Sequence, residues 1–140
     1  MGESRQVTTT SDVADRIAVK KTVLVVDDEA KLLAVVRDIL ESRDYQVVTA
    51  LNGLQGWEAA CRTKPDLILL DIRMPMMDGF EMLIRLKHHA DMEHIPVIIL
   101  TASGDTGLSV KRAKELRASD HLIKPFGIEE LLDLVQRHLP

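Results

Sequence analysis

The chain has 140 residues, 46% of them hydrophobic and 29% charged, with a net charge of −4; these values suit one globular domain around a single core. No long basic stretch exists, which disfavours direct binding of nucleic acid, and no apolar run approaches the length that spans a bilayer. The start of the chain lacks the apolar segment of a secretory signal, and the one cysteine, Cys61, permits no disulfide within the chain, so a soluble cytoplasmic protein is the default expectation.

Residues 1–20 are polar and rich in Ser, Thr and Asp, without sustained periodicity. They read as a flexible N-terminal arm carrying at most a short helical stretch at 12–19, ahead of a folded domain over 21–140. From Thr22 onward two kinds of segment alternate. Short apolar runs at 23–26, 47–50, 67–70, 97–100 and 122–123 are rich in β-branched residues, which predicts buried strands. Longer amphipathic segments separate them. In 30–42, Leu32, Leu33, Val36, Ile39 and Leu40 share one helical face; 54–62, 80–88, 108–116 and 128–139 read the same way. Breakers stand where turns are needed, at Asn52-Gly53, Lys64-Pro65, Asp78-Gly79 and Gly104. Cys61, inside an amphipathic segment, is expected to be a small buried hydrophobe. Met74, Met76, Met77 and Met82 are expected to pack in the loop and core.

Fivefold strand–helix alternation implies βα units joined by right-handed crossovers. The predicted fold is α/β: a single five-stranded parallel sheet with helices on both faces, doubly wound and flavodoxin-like. Ligands of such sheets bind at the carboxyl ends of the strands. Strand 1 ends there in Asp27-Asp28-Glu29, strand 3 in Asp71, strand 4 in Thr101-Ala102-Ser103 and strand 5 in Lys124-Pro125. Taken singly, an Asp at a strand end is as readily a helix cap, Thr101 a satisfied strand residue and Lys124 a solvated charge. Together they are harder to dismiss. Carboxylates pressed together cannot all stay ionised without a cation. All-oxygen donors favour Mg2+. A metal and a lysine make a pocket for a phosphoryl group, and an aspartate can be the nucleophile that takes it.

The stretches VLVVDD over 23–28 and DIRMPMMDG over 71–79, Thr101-Ala102 after an apolar strand, and Lys124-Pro125-Phe126 together resemble the signature set of bacterial response-regulator receiver domains, over about residues 22–139. The resemblance implies that Asp71 accepts a phosphoryl group from a sensor histidine kinase or a histidine phosphotransfer protein. It implies a Mg2+ site of Asp28 directly, Asp27 mainly through water, Asp71, and the backbone carbonyl of Arg73. Thr101 and the amide of Ala102 would donate to phosphoryl oxygens, and Lys124 would pair with their charge. The Lys124–Pro125 bond would be cis. Phosphorylation would shift Thr101 and the strand 5 switch residue, remodelling the surface of helix 4, strand 5 and helix 5 toward an output domain or protein. A homodimer through that surface is one assembly this allows; direct nucleic-acid contact and a membrane are not implied. Such a protein is a regulatory phospho-acceptor rather than an enzyme, although it promotes its own Mg2+-dependent phosphorylation and dephosphorylation.

Two positions depart from the family pattern. Arg117 stands where glycine usually ends helix 4 in a left-handed turn, at a cost of up to about 1 kcal/mol or with a different turn. His121 stands where the switch residue is usually Tyr or Phe. Neither touches the acid pocket. His88, His89 and His94 lack the carboxylate spacing of a metal site and read as surface residues. The basic residues of helix 4, Lys111, Arg112, Lys114 and Arg117, are a solvated face or a docking surface. Rival readings fare worse. A flavin-type phosphate cradle after strand 1 would be repelled by Asp27-Asp28-Glu29, and a phosphatase of the haloacid-dehalogenase type wants an Asp where Arg73 stands. The closer rival is a receiver that binds partners without ever being phosphorylated, and the intact set of pocket residues argues against it.

Overall fold

The computed structural model describes residues 20–105 and 107–140; the proposed helical stretch at 12–19, and all of the proposed arm except Lys20, lie outside the described residues. Among the described residues ten elements alternate: β1 (Thr22–Val26), α1 (Ala30–Glu41), β2 (Gln46–Ala50), α2 (Gly53–Thr63), β3 (Leu67–Asp71), α3 (Gly79–Lys87), β4 (Val97–Ala102), α4 (Gly107–Glu115), β5 (Asp120–Lys124) and α5 (Ile128–His138). The strands form one sheet in the order β2-β1-β3-β4-β5, and every pairing is parallel. The strand order reverses between β1 and β3, which opens a crevice at their carboxyl ends.

Both faces of the middle of the sheet are buried, so β1, β3 and β4 are continuous apolar runs rather than alternating ones. Leu24, Val26, Ile68, Leu70 and Ile99 face one core, closed by α2, α3 and α4. Their neighbours Val23, Val25, Leu69, Ile98, Leu100 and Leu122 face the other, closed by α1 and α5. All of β3 is buried. The central strand that carries Asp71 is therefore packed on both faces along its whole length.

Three expectations are corrected. Cys61 is exposed: its segment forms a helix, but buried Ala59 and Ala60 carry the inward face instead. Met76 is also exposed, on a backbone with φ of 70°, whereas Met74, Met77 and Met82 pack as expected. Strand 5 begins at Asp120 rather than Leu122. As the edge strand it has polar Asp120, His121 and Lys124 at positions that need not be buried, so no apolar run announces it.

The end of α4 settles the turn at Arg117. Its φ is 72°, the Arg117 amide donates to Lys114 O at 3.0 Å, and Ala118 N donates to Ala113 O at 2.9 Å. These bonds form the left-handed helix stop that glycine usually makes. The arginine guanidinium donates to the Lys87 carbonyl at 2.9 Å, tying the end of α4 to the end of α3. A left-handed non-glycine residue costs about 1–2 kcal/mol, and such a bond returns about 0.5–1.5 kcal/mol. Arg117→Gly should therefore leave stability nearly unchanged. Arg117→Ala, which keeps the backbone cost and loses the bond, should lower it by about 1 kcal/mol. Urea unfolding of the two variants separates them.

Candidate functional site

The acidic residues that end β1 come to lie beside Asp71. Asp27 is fully buried. Its Oδ1 accepts the Glu29 amide at 2.9 Å, and its Oδ2 lies 2.6 Å from Lys124 Nζ. A buried carboxylate needs such compensation. Lys124, from the far end of β5, also lies 3.7 Å from Asp71 Oδ2 and 3.8 Å from Glu29 Oε1. Its peptide bond to Pro125 is cis. Asp71 is buried, with the Arg73 amide donating to Oδ1 at 3.4 Å. Asp28 is exposed at the rim.

Asp27, Asp28 and Asp71 each offer an oxygen within 4.8 Å of the others. Burial first, and then the charge of Asp27, pushes the Asp71 carboxyl up to about 6; Lys124 and the Arg73 amide oppose this, and Asp28 adds to it. Burial alone would lower the Lys124 ammonium, but its bond to Asp27 and the charges of Asp71, Asp27 and Glu29 raise it on balance. One lysine thus does not balance the acids. The donor set is all hard oxygen and partly open to water, which fits a small divalent cation such as Mg2+.

Thr101 is buried at the end of β4, and exposed Ala102 follows it. They pair with Ile123 and Lys124 of β5, so hydroxyl, amide and ammonium stand at one end of the sheet. His121 is exposed and pairs with Ile99, which places it on the same sheet face as Thr101. His88 and His94 are exposed, and His89 sets its ring edge-on to Trp57 at 5.8 Å. Among the described residues the one metal-competent acidic or histidine group is the Asp27, Asp28, Asp71 cluster. Two neighbours were not foreseen: Glu29 as a partner of Lys124, and Asp105, which pairs with Arg73 at 3.1 Å. A link across 32 residues leaves no local pattern.

The packing beneath the pocket is equally specific. Gly79 opens α3 against the back of Asp71, with its amide donating to Ile72 O at 2.8 Å.

Residues 23–136 match the model of the response regulator receiver domain. The chain belongs to this family. It is similar to the sporulation initiation phosphotransferase F of Bacillus subtilis, with 40% identity over 84% of this chain and 93% of that protein. It is also similar to part of the sensor histidine kinase TmoS of Ectopseudomonas mendocina, with 38% identity over 78% of this chain but only 11% of that protein. The solved receiver domain of a sensor histidine kinase from Pseudomonas aeruginosa PAO1, described with a magnesium ion coordinated in the active site cleft, superposes with a TM-score of 0.78 and 29% identity. That match covers 86% of this chain and 98% of that one. As a receiver domain of two-component signalling, this chain is a regulatory phospho-acceptor of the kind that is phosphorylated on aspartate. The flavodoxin-like α/β fold expected from the strand–helix alternation is the one found. No helix among the described residues is long and apolar enough to cross a membrane.

Proposed function

We propose that Asp71 takes a phosphoryl group from a phosphohistidine of a sensor histidine kinase or a histidine phosphotransfer protein, in a Mg2+-dependent reaction. The observation that carries this reading is the position of Asp71: it shares the acidic cluster with Asp27 and Asp28 while lying 3.7 Å from Lys124. A carboxylate oxygen of Asp71 attacks phosphorus, the P–N bond breaks, and the donor imidazole leaves with the electron pair. Asp28, Asp71 and the Arg73 carbonyl would hold the metal, with Asp27 mainly acting through water. Mg2+, when bound, neutralises the carboxylates and the non-bridging phosphoryl oxygens. The Thr101 hydroxyl and Ala102 amide donate to those oxygens, and Lys124 pairs with them. The same groups serve hydrolysis of the acyl phosphate, so the domain, residues 21–140, promotes both its own loading and its own reset.

The donor's approach has support beside the pocket. Glu29 and Lys124 also border an apolar groove between α1 and the start of α5, lined by Leu32, Val35, Phe126 and Ile128. A helix bearing the phosphohistidine can lie there with its imidazole over Asp71. On output, the phosphoryl charge draws Thr101 toward it, and His121 on the same sheet face follows. The α4–β5–α5 surface then changes for an attached domain, a separate protein or a second copy. A cytoplasmic setting and the absence of direct nucleic-acid contact belong to the same reading.

Incubation with acetyl phosphate and Mg2+, read by intact mass, is the test. One phosphoryl mass is expected; no added mass under any Mg2+ concentration would favour a receiver that only binds partners. Asp28→Ala should weaken Mg2+ affinity and slow that mass gain at least about tenfold, the scale on which loss of metal-site groups acts. Amide chemical shifts under Mg2+ titration check it, and an unchanged affinity would remove Asp28 from the ligand set.

A further inference from the structure

Arg73 is joined to the start of α4 by a contact that the phosphorylation chemistry does not use. Its Nη2 lies 3.1 Å from Asp105 Oδ1. The same Asp105 oxygen accepts the Ser109 hydroxyl at 3.1 Å, and Ser109 lies in the first turn of α4. The Asp105 amide donates to Ala102 O at 3.0 Å, which fixes the turn after β4. The Arg73 side chain is 72% exposed and that of Asp105 only 6%, so the carboxylate is the fixed member and the guanidinium the movable one. Arg73 also shares the wall of one cavity with Asp28 and Ser109, and its own amide already points at Asp71.

We propose that Asp105 is a positioning residue that holds the Arg73 guanidinium away from the acceptor before phosphorylation and yields it afterwards, in competition with the phosphoryl group. This rests on the assignment of Asp71 as acceptor. An ion pair with one largely exposed member is weak. A phosphoryl group carries nearly two negative charges and three acceptor oxygens, and matches a guanidinium fork better than one carboxylate oxygen does. Once loaded, the site therefore outcompetes Asp105. Arg73 then lies over the outward-facing phosphoryl oxygens, on the side from which water must reach phosphorus for hydrolysis. Its departure also loosens the turn that Asp105 ties to Ser109, so the first turn of α4 is altered by the same exchange.

The test is a double-mutant cycle on the whole chain, loaded with acetyl phosphate and Mg2+ and then freed of donor. Phosphoryl half-life is read by intact mass and fold integrity by melting temperature. Asp105→Asn keeps the shape and removes the charge that competes for Arg73. It should lengthen the half-life about threefold, the scale set by a weak surface ion pair. Arg73→Ala should shorten it, and Arg73→Lys should restore part of the loss. In the Arg73→Ala background, Asp105→Asn should change nothing further, because there is no guanidinium left to release. A purely structural role for Asp105 would move the half-life equally in both backgrounds; that result, or an unchanged half-life in Asp105→Asn, overturns the proposal while leaving Asp71 as acceptor. Failure of the unaltered chain to gain phosphoryl mass would overturn both.

Discussion

Asp71→Asn is expected to abolish phosphoryl uptake from acetyl phosphate while the domain stays folded. Asparagine has the shape of aspartate but no nucleophilic carboxylate, and the other buried acid beside Lys124, Asp27, has both oxygens engaged, by Lys124 at 2.6 Å and by the Glu29 amide at 2.9 Å. Intact mass before and after donor addition decides it; mass gain that persists in the variant would move the acceptor elsewhere. The same substitution should change the pH dependence of stability of the metal-free protein. Asp71 titrates near 6 when folded, against an ordinary value of 3.8. Between these limits the folded state binds more protons than the unfolded one, so stability falls as pH rises from about 4 to about 6. Asp71→Asn should remove that decline and leave the variant the more stable of the two at pH 7. Urea unfolding in EDTA across this range checks both the sign and the window. A steeper decline in the variant would contradict the buried, acid-crowded setting of Asp71.

Gly79→Ala is expected to be strongly disruptive. A Cβ at this position would stand 2.3 Å from the Asp71 carbonyl oxygen and 2.7 Å from Ile72 Cα. Both are backbone atoms of the packed central strand and its continuation, so neither can swing aside as a side chain would. Overpacking of this kind costs about 1–3 kcal/mol and sometimes more; here α3 must lift off Asp71, which points to about 3 kcal/mol or more. Phosphorylation should slow as well, because Asp71 moves with its carbonyl. Gly104→Ala, where an added Cβ meets nothing within 4 Å, is the matched control and should change neither stability nor loading. Thermal unfolding paired with the acetyl phosphate reaction reads both effects.

The sequence carried the pocket better than its surroundings. Asp27, Asp71, Thr101 and Lys124 each sit where an apolar run stops, and parallel strands deliver such positions to one edge. Their convergence follows from topology alone. The relative depth of the acids does not: Asp27 is fully buried and Asp28 exposed, although they are adjacent and identical in type. Strand 5 was half-hidden because an edge strand needs few apolar residues. Cys61 was misplaced because a helix with small inward residues leaves its hydrophobic face ambiguous by one position. Arg117 gave a correct warning of a departure but not its resolution, since the carbonyl that receives its guanidinium belongs to Lys87, 30 residues earlier. The Arg73–Asp105 pair was illegible for the same reason.

Lys87 itself has a wider consequence. It is buried, and its ammonium donates to the carbonyls of Glu93 at 3.1 Å and Ile95 at 3.0 Å. Lys87 thus ties the connection between α3 and β4 through main-chain atoms, while Met92 and Ile95 of the connection pack into the core. The Lys87 bonds themselves do not depend on which side chains stand at the exposed positions of the connection. Exposed His88 and His94 can drift to other polar residues, or receive a tag, without disturbing the sheet edge that bears Thr101. The tolerance ends at Lys87: an acyl group on its nitrogen would remove the charge and crowd the two carbonyls, so a stretch whose exposed positions can vary would lose its main-chain anchor through one chemical change on its inner side.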